Sequence, residues 1–191
     1  MCQSRASKYI PPEDDIRKVL DVAEDWEKDL LMLLLNTGAR ISEVLNLKWS
    51  DVSADGIALW TRKRKNGSRQ ARNIPIGDNL RELLNRYADK KSGIYVLVNP
   101  ETDEPYRKSQ PSIKFMLKRL CKKAGVAAFG FHSLRHYFAS RLLNTGRADL
   151  AEIQLVLGHQ RASTTDGYLH SLNPRLGHLA GIIEDMNSTL K

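Results

Sequence analysis

Apolar positions recur along this chain mainly three or four residues apart, with one interval where the period drops to two. Ile16, Val19, Leu20 and Ala23 follow Pro11-Pro12 and the acids Glu13, Asp14 and Asp15. Prolines at the entry and acids at the positive end of the helix dipole predict a helix starting there, its acids forming a solvated face. The run from Leu30 to Leu35 is apolar all round, which predicts a buried helix, and Asn36-Thr37-Gly38 offers a left-handed cap to close it. A short helix carrying Ile41, Val44, Leu45 and Leu47 is predicted from about Arg40. Period two appears at Ile57 and Leu59 and resumes at Ile74 and Ile76 across Asn66-Gly67, the strongest short-range hairpin signal.

Past the hairpin, Asp78 or Asn79 can cap a helix bearing Leu80, Leu83, Leu84 and Tyr87. Residues 94–98 (IYVLV) read as a short β-like run before a polar loop at 99–109. Ile113, Met116, Leu117 and Leu120 mark a helix stopped at Gly125, and Leu134, Phe138 and Leu142 mark another stopped at Gly146. Asp149 with Glu152 three residues on is a capping-box start for a helix carrying Ile153, Val156 and Leu157 and ending at Gly158. Ser163 and Thr164 can cap one more. Beyond the polar break Ser171-Leu172-Asn173-Pro174, residues Leu176, Leu179, Ile183 and Met186 share one face of a tail helix over 175–191. With no internal repeat and no linker beyond residues 1–10, the chain reads as a single domain over 1–191. It is mainly α with a small antiparallel β-sheet (α+β).

Composition narrows the class. At 191 residues, 41% hydrophobic and 27% charged, the chain can bury its own core, which excludes disorder and a stapled mini-protein. No apolar run approaches the roughly 20 residues of a membrane helix, and the N-terminus lacks a signal-peptide core, so a cytoplasmic or nucleoid location with no membrane partner is expected. Cys2 and Cys121 have no metal-ligand or disulfide-framework spacing and are expected to be reduced. The net charge of +8 is unevenly spread: residues 13–29 hold eight acids and three bases, a local −5 that leaves +13 on the rest. A local basic surface points to a polyanionic partner.

Several polar residues could carry chemistry. His132 and Arg135 stand three apart at a helix start, where a phosphate can sit between them and backbone N–H groups add to the binding. Arg40 lies at the turn before the short helix, with Glu43 one helical turn on to fix its direction. The hairpin concentrates Arg62, Lys63, Arg64, Lys65, Arg69 and Arg72, candidates for phosphate neutralisation; strand parity does not choose between Lys63 and Lys65 as a catalytic acid, but Lys65 lies at the turn and can swing. Lys118, Arg119, Lys122 and Lys123 form a second basic group on one predicted helix. His159 follows a glycine cap, and Tyr168 lies nine residues further on. Each feature alone has an ordinary structural explanation as an ion pair, a helix-end cation or a core aromatic.

In this order, however, the pieces resemble the catalytic domain of the tyrosine recombinases, the phage integrase family of site-specific recombinases. The resemblance rests on Arg40 with Glu43 in TGARISE, Lys65 in Lys-Asn-Gly, His132 and Arg135 in HSLRHYFAS, His159 in Leu-Gly-His, and Tyr168 after Ser-Thr-Thr. It implies a DNA strand transferase in which Tyr168 is the nucleophile. Arg40, Arg135, His132 and His159 would stabilise the phosphate, Lys65 would protonate the leaving oxygen, and neither a metal nor any other cofactor would be needed. It implies double-stranded DNA as partner, a monomer when free and a tetramer on DNA, with the tail helix docking on a neighbouring protomer; the alternative for the tail is that it folds back on its own domain. The family's N-terminal core-binding domain is expected to be absent from this chain, since about ten residues precede the first helix. A type IB topoisomerase-like transferase and a catalytically silent DNA-binding module are the alternatives.

Overall fold

The computed structural model describes residues 9–62, 69–88, 93–99, 101–158 and 176–190, the side chains of Arg62 and Arg69 apart. Helix α1 (Glu13–Asp21) starts directly after Pro12 and buries Ile16, Val19 and Leu20. Helix α2 (Asp25–Thr37) opens with a reciprocal capping box between Glu24 and Glu27, which satisfies backbone donors that the helix itself cannot. The acidic stretch is therefore not wholly a solvated face. Glu27 is 0% exposed and receives an ion pair from Arg119.

Helix α2 is the axis of the core. Leu30, Leu31, Leu33, Leu34 and Leu35 are all buried, and the helix is packed by α3 (Ile41–Leu45), α4 (Asp78–Ala88), α7 (Phe131–Asn144) and α9 (Leu179–Asn187). At its end Gly38 adopts φ +58°, and a Cβ there would overlap the ring of Phe138. Glycine is required at 38 twice over, for the left-handed backbone and for the close approach of α7.

Strands β1 (Gly56–Arg62) and β2 (Arg69–Pro75) form a two-stranded antiparallel sheet in which Ile57 pairs with Ile74, Leu59 with Arg72 and Arg62 with Arg69. The strands pair as the period-two pattern predicts, and the expected Asn66-Gly67 turn lies outside the described residues. The 94–98 run is different: it makes only isolated bridges, Lys48 with Tyr95 and Val98 with Pro105, and its neighbours Val96 and Leu97 are both buried. Two adjacent buried side chains cannot share one face of a strand, so this segment is an irregular plug rather than a third strand.

Helix α4 starts at Asp78 itself, and the N–H of Asn79 is capped from a distance by Glu184 Oε2 of α9 at 3.0 Å. Helices α5 (Pro111–Lys114) and α6 (Met116–Ala124) follow, α6 packing on α1 and ending at Gly125. Helix α8 (Leu150–Leu157) opens on the predicted Asp149–Glu152 capping box and ends at Gly158, φ +66°.

Of the two readings of the tail, the structure takes the one in which it folds back on its own chain. Leu176, Leu179, Ile182, Ile183, Met186 and Leu190 are buried against the chain's own core. Asn187 Nδ2 donates to Leu35 O at 3.1 Å, and Arg141 Nη2 donates to Met186 O at 2.7 Å. Burial of such side chains stabilises by roughly 1.5–3 kcal/mol each, which explains why the stripe finds cover at home. Helix α9 is a core helix in cis.

Candidate active site

The site is built around one carboxylate. Arg40 sits with extended backbone before α3, where its own N–H donates to Glu43 Oε2 at 2.8 Å and its Nη1 donates to Glu43 Oε1 at 2.9 Å. From the hairpin, Arg72 reaches the same carboxylate with two parallel bonds, Nη1 to Oε1 at 2.9 Å and Nη2 to Oε2 at 2.7 Å. Such bidentate, charge-assisted pairing fixes direction as well as distance. The Glu43 side chain is 2% exposed, that of Arg72 10% and that of Arg40 35%.

Two further bonds tie this pair to α8. Arg72 Nε donates to Val156 O at 2.7 Å, and Arg135 donates from Nη2 to the next carbonyl, Leu157 O. Arg135 Nη1 also donates to Gly38 O at 2.7 Å. Carbonyls in the last turn of a helix lack intrahelical partners and carry the negative end of its dipole, so two guanidiniums are held there favourably.

Electrostatics show where the balance lies. Burial pushes the Glu43 carboxyl upward, but the bonds and charges of Arg72 and Arg40 outweigh it and hold Glu43 down to about 2. Arg135 is lowered to about 10, first by burial and then by the like charges of Arg40 and Arg72, with Glu43 opposing. Two guanidiniums thus bond one carboxylate, and a third lies within reach of its charge. Arg40, Glu43, Thr61 and Gly158 line the same polar groove of about 930 Å³. Arg40 faces that groove with Arg72 and Arg135 close by, a grouping of guanidiniums suited to an anion with several oxygens, as a phosphodiester is.

The structure brings together Arg40, Glu43 and Arg135. His132 lies on the first turn of α7, exposed and one turn before Arg135. Lys63, Arg64, Lys65, His159 and Tyr168 lie outside the described residues, as do the side chains of Arg62 and Arg69. Tyr137, the other tyrosine near Arg135 in sequence, is 4% exposed, and burial pushes its hydroxyl up to about 12, so it is no nucleophile for a bulky phosphate.

Three of the expected DNA contacts have partners within the chain. Arg72 is buried against Glu43 and Val156 instead of lying on the basic surface of the hairpin. Arg119 pairs with buried Glu27, and Lys123 Nζ donates to Val22 O at 2.8 Å, so both bind α6 to its own domain. Lys118 and Lys122 on the same helix are exposed. Arg72 is the site residue that the sequence pattern understates. Its parity gives it away, because it shares a strand face with Ile74 and Ile76, and a base on an apolar face requires a buried partner.

A helical domain with a small sheet and an arginine cluster held at a helix end is thereby defined. The model of the phage integrase family matches residues 11–175, and the chain belongs to that family. Among its relatives, the tyrosine recombinase XerA of Pyrococcus horikoshii is 35% identical over 159 residues, covering 82% of this chain and 54% of its own length. The tyrosine recombinase XerC of Staphylococcus aureus (strain bovine RF122 / ET3-1) is 32% identical over 190 residues, covering 90% of this chain and 61% of its own length. The chain spans between about half and three fifths of these curated relatives. A crystal structure of XerA recombinase superposes with TM-score 0.65 at 27% identity, covering 91% of this chain and 64% of that one. The lambda integrase catalytic core superposes with TM-score 0.61 at 26% identity, covering 82% of this chain and 94% of that one.

Proposed function

We propose that the chain is the catalytic domain of a site-specific DNA recombinase that cleaves and rejoins strands through a 3′-phosphotyrosine on Tyr168. The observation that carries the proposal is the cluster of Arg40, Arg72 and Arg135 around the single carboxylate of Glu43, an excess of charge that a backbone phosphate would neutralise. A lambda integrase structure described as bound to DNA, with TM-score 0.63 and 25% identity, supports double-stranded DNA as the partner.

In the proposed step the Tyr168 phenol releases its proton to solvent, its oxygen attacks phosphorus, and the bond from phosphorus to the 5′ oxygen breaks. Lys65 delivers a proton to that oxygen, leaving a 5′-hydroxyl, and attack by another strand's 5′-hydroxyl reverses the step. Arg40 and Arg135 stabilise the charge growing on the non-bridging oxygens, with His132 and His159 as further donors; one such donor is typically worth about 2.7–4 kcal/mol of barrier. The phosphodiester energy is kept in the adduct, so strands rejoin without an energy source. A cytoplasmic, nucleoid-associated location, a free monomer and a tetramer on DNA belong to the same proposal, and burial of α9 in cis supports the free monomer.

The test is trapping. Nicked suicide duplexes tiling the DNA that flanks the encoding gene should give a covalent protein–DNA adduct with wild type and none with Tyr168→Phe. An adduct surviving in the Phe variant refutes the nucleophile assignment. Adduct with strand rejoining but no exchange between duplexes indicates a topoisomerase-like transferase, and DNA binding without adduct indicates a silent module.

A further inference from the structure

We propose that Arg72 is a positioning residue for strand cleavage, acting through Glu43 and the end of α8 without touching the DNA. The inference rests on the strand-transferase proposal above and deepens it. Arg72 stands opposite Leu59 on the covered face of the hairpin, with its side chain 10% exposed. Arg40, at 35%, keeps an open side on the groove. A phosphate in that groove is met by Arg40, and the charge of Arg72, unlike that of Arg135, which bonds only neutral carbonyls, is already paired with a carboxylate.

Its bonds connect three pieces of the site. Two go to Glu43, which in turn holds both the backbone N–H and the guanidinium of Arg40. The third goes to Val156 O, one residue before the carbonyl that holds Arg135. Gly158 packs on the same side chain, since a Cβ there would stand 3.0 Å from Arg72 Cδ and 3.3 Å from Nε. Arg72 thus sets the direction of Arg40, the last turn of α8 and the point where the chain leaves for His159, and it does so from the strand that returns from Lys65. A planar fork can make these bonds together; the single ammonium of lysine, with the same charge, cannot. Misplacing a reacting group by about 1 Å can cost on the order of 10²-fold in rate, which is ample for a residue that touches no substrate.

The test uses the full chain and the trapping duplexes, with single-turnover adduct formation, DNA affinity as a function of salt, and melting temperature as readouts. Arg72→Lys should melt as a folded protein, bind DNA within about twofold of wild type and form adduct about 10²-fold more slowly. Because Arg72 acts through Glu43, adding Arg72→Lys to Glu43→Gln should slow cleavage by less than about threefold beyond Glu43→Gln alone. Arg72→Gln should leave the slope of log affinity against log salt unchanged. A slope lower by about 0.9 identifies a phosphate contact and overturns the proposal. So does adduct formation at the wild-type rate, a loss that multiplies fully with that of Glu43→Gln, or failure of Arg72→Lys to fold, which assigns Arg72 to the fold alone. Absence of adduct from wild type instead refutes the strand-transferase proposal itself and removes the role of Arg72 with it.

Discussion

Two buried glutamates in this chain meet arginine in opposite ways. Glu27, 0% exposed, belongs to a capping box and takes one ion pair from Arg119, whose side chain is 48% exposed. One carboxylate faces one guanidinium, and the charges close on themselves. Glu43 is as well buried but is shared by Arg40 and Arg72, with Arg135 close enough for its own charge to be felt. There the charges do not close. A buried pair is weak evidence for anything beyond fold, since its desolvation cost can rival its attraction. An excess of one sign is more informative, because like charges held together cost free energy that a bound anion would return. The difference separates an ion pair that staples α6 to α2 from one that prepares a site.

The sharpest break between the two regions is expected in cleavage. Arg135→Ala should lower single-turnover adduct formation by about 10²–10³-fold, the loss typical of one donor to a developing oxyanion. Arg119→Ala should leave the rate of the folded fraction unchanged and lower stability by about 1–3 kcal/mol, because Glu27 keeps its backbone contact and loses its cation. Equal losses of activity in the two variants, each measured below its melting temperature, would show that the charge excess has no special role.

Acid titration comes next in size. The Glu43 carboxyl is lowered in the folded chain from 4.5 to about 2, so the unfolded chain binds the proton more readily between those values. The stabilisation from this group is fully present above about 4.5 and disappears as pH falls toward 2. Its upper bound is about 3 kcal/mol, since one unit corresponds to about 1.4 kcal/mol. Melting of wild type and Glu43→Gln compared from pH 6 to pH 2 should show a gap that narrows below pH 4.5. A gap that stays constant would mean that Glu43 does not carry its charge into its pairing with Arg40 and Arg72.

Much of the fold around these pairs is legible in the sequence. The all-apolar run from Leu30 to Leu35, the glycine cap at 38, the period-two hairpin and the Asp149–Glu152 box all appear where the spacing puts them, because each is a local device whose cause lies within a few residues. What escapes is long-range. Nothing near Glu27 in sequence announces Arg119, 92 positions away, and nothing near Arg72 announces Val156, 84 positions away. The same holds for the tail: its apolar face is plain, but whether that face meets this chain or another depends on the cover offered by α2 and α7. The site divides likewise. Arg40 and Glu43 are local partners three residues apart, whereas the Arg72 connection is tertiary and leaves only its strand parity as a trace.

The smallest effect, and the one that addresses the charge excess most directly, is the response to inorganic phosphate. An anion that binds the folded chain alone stabilises it by RT ln(1 + [L]/Kd), which is about 1 kcal/mol at five times Kd. For a domain of 150–250 residues, 1 kcal/mol moves the melting temperature by about 2–4 °C. Phosphate also stabilises folded proteins in general by exclusion from their surfaces, so the wild-type shift alone decides nothing. The comparison between variants does. Arg40→Ala removes the most exposed of the three guanidiniums while leaving the bidentate Arg72–Glu43 pair, so it should lose most of the specific part of the shift. Arg119→Ala removes an equal charge from the balanced pair and should keep the wild-type shift in full. Equal shifts in wild type and both variants would locate the phosphate effect in the solvent rather than in the guanidiniums near Glu43.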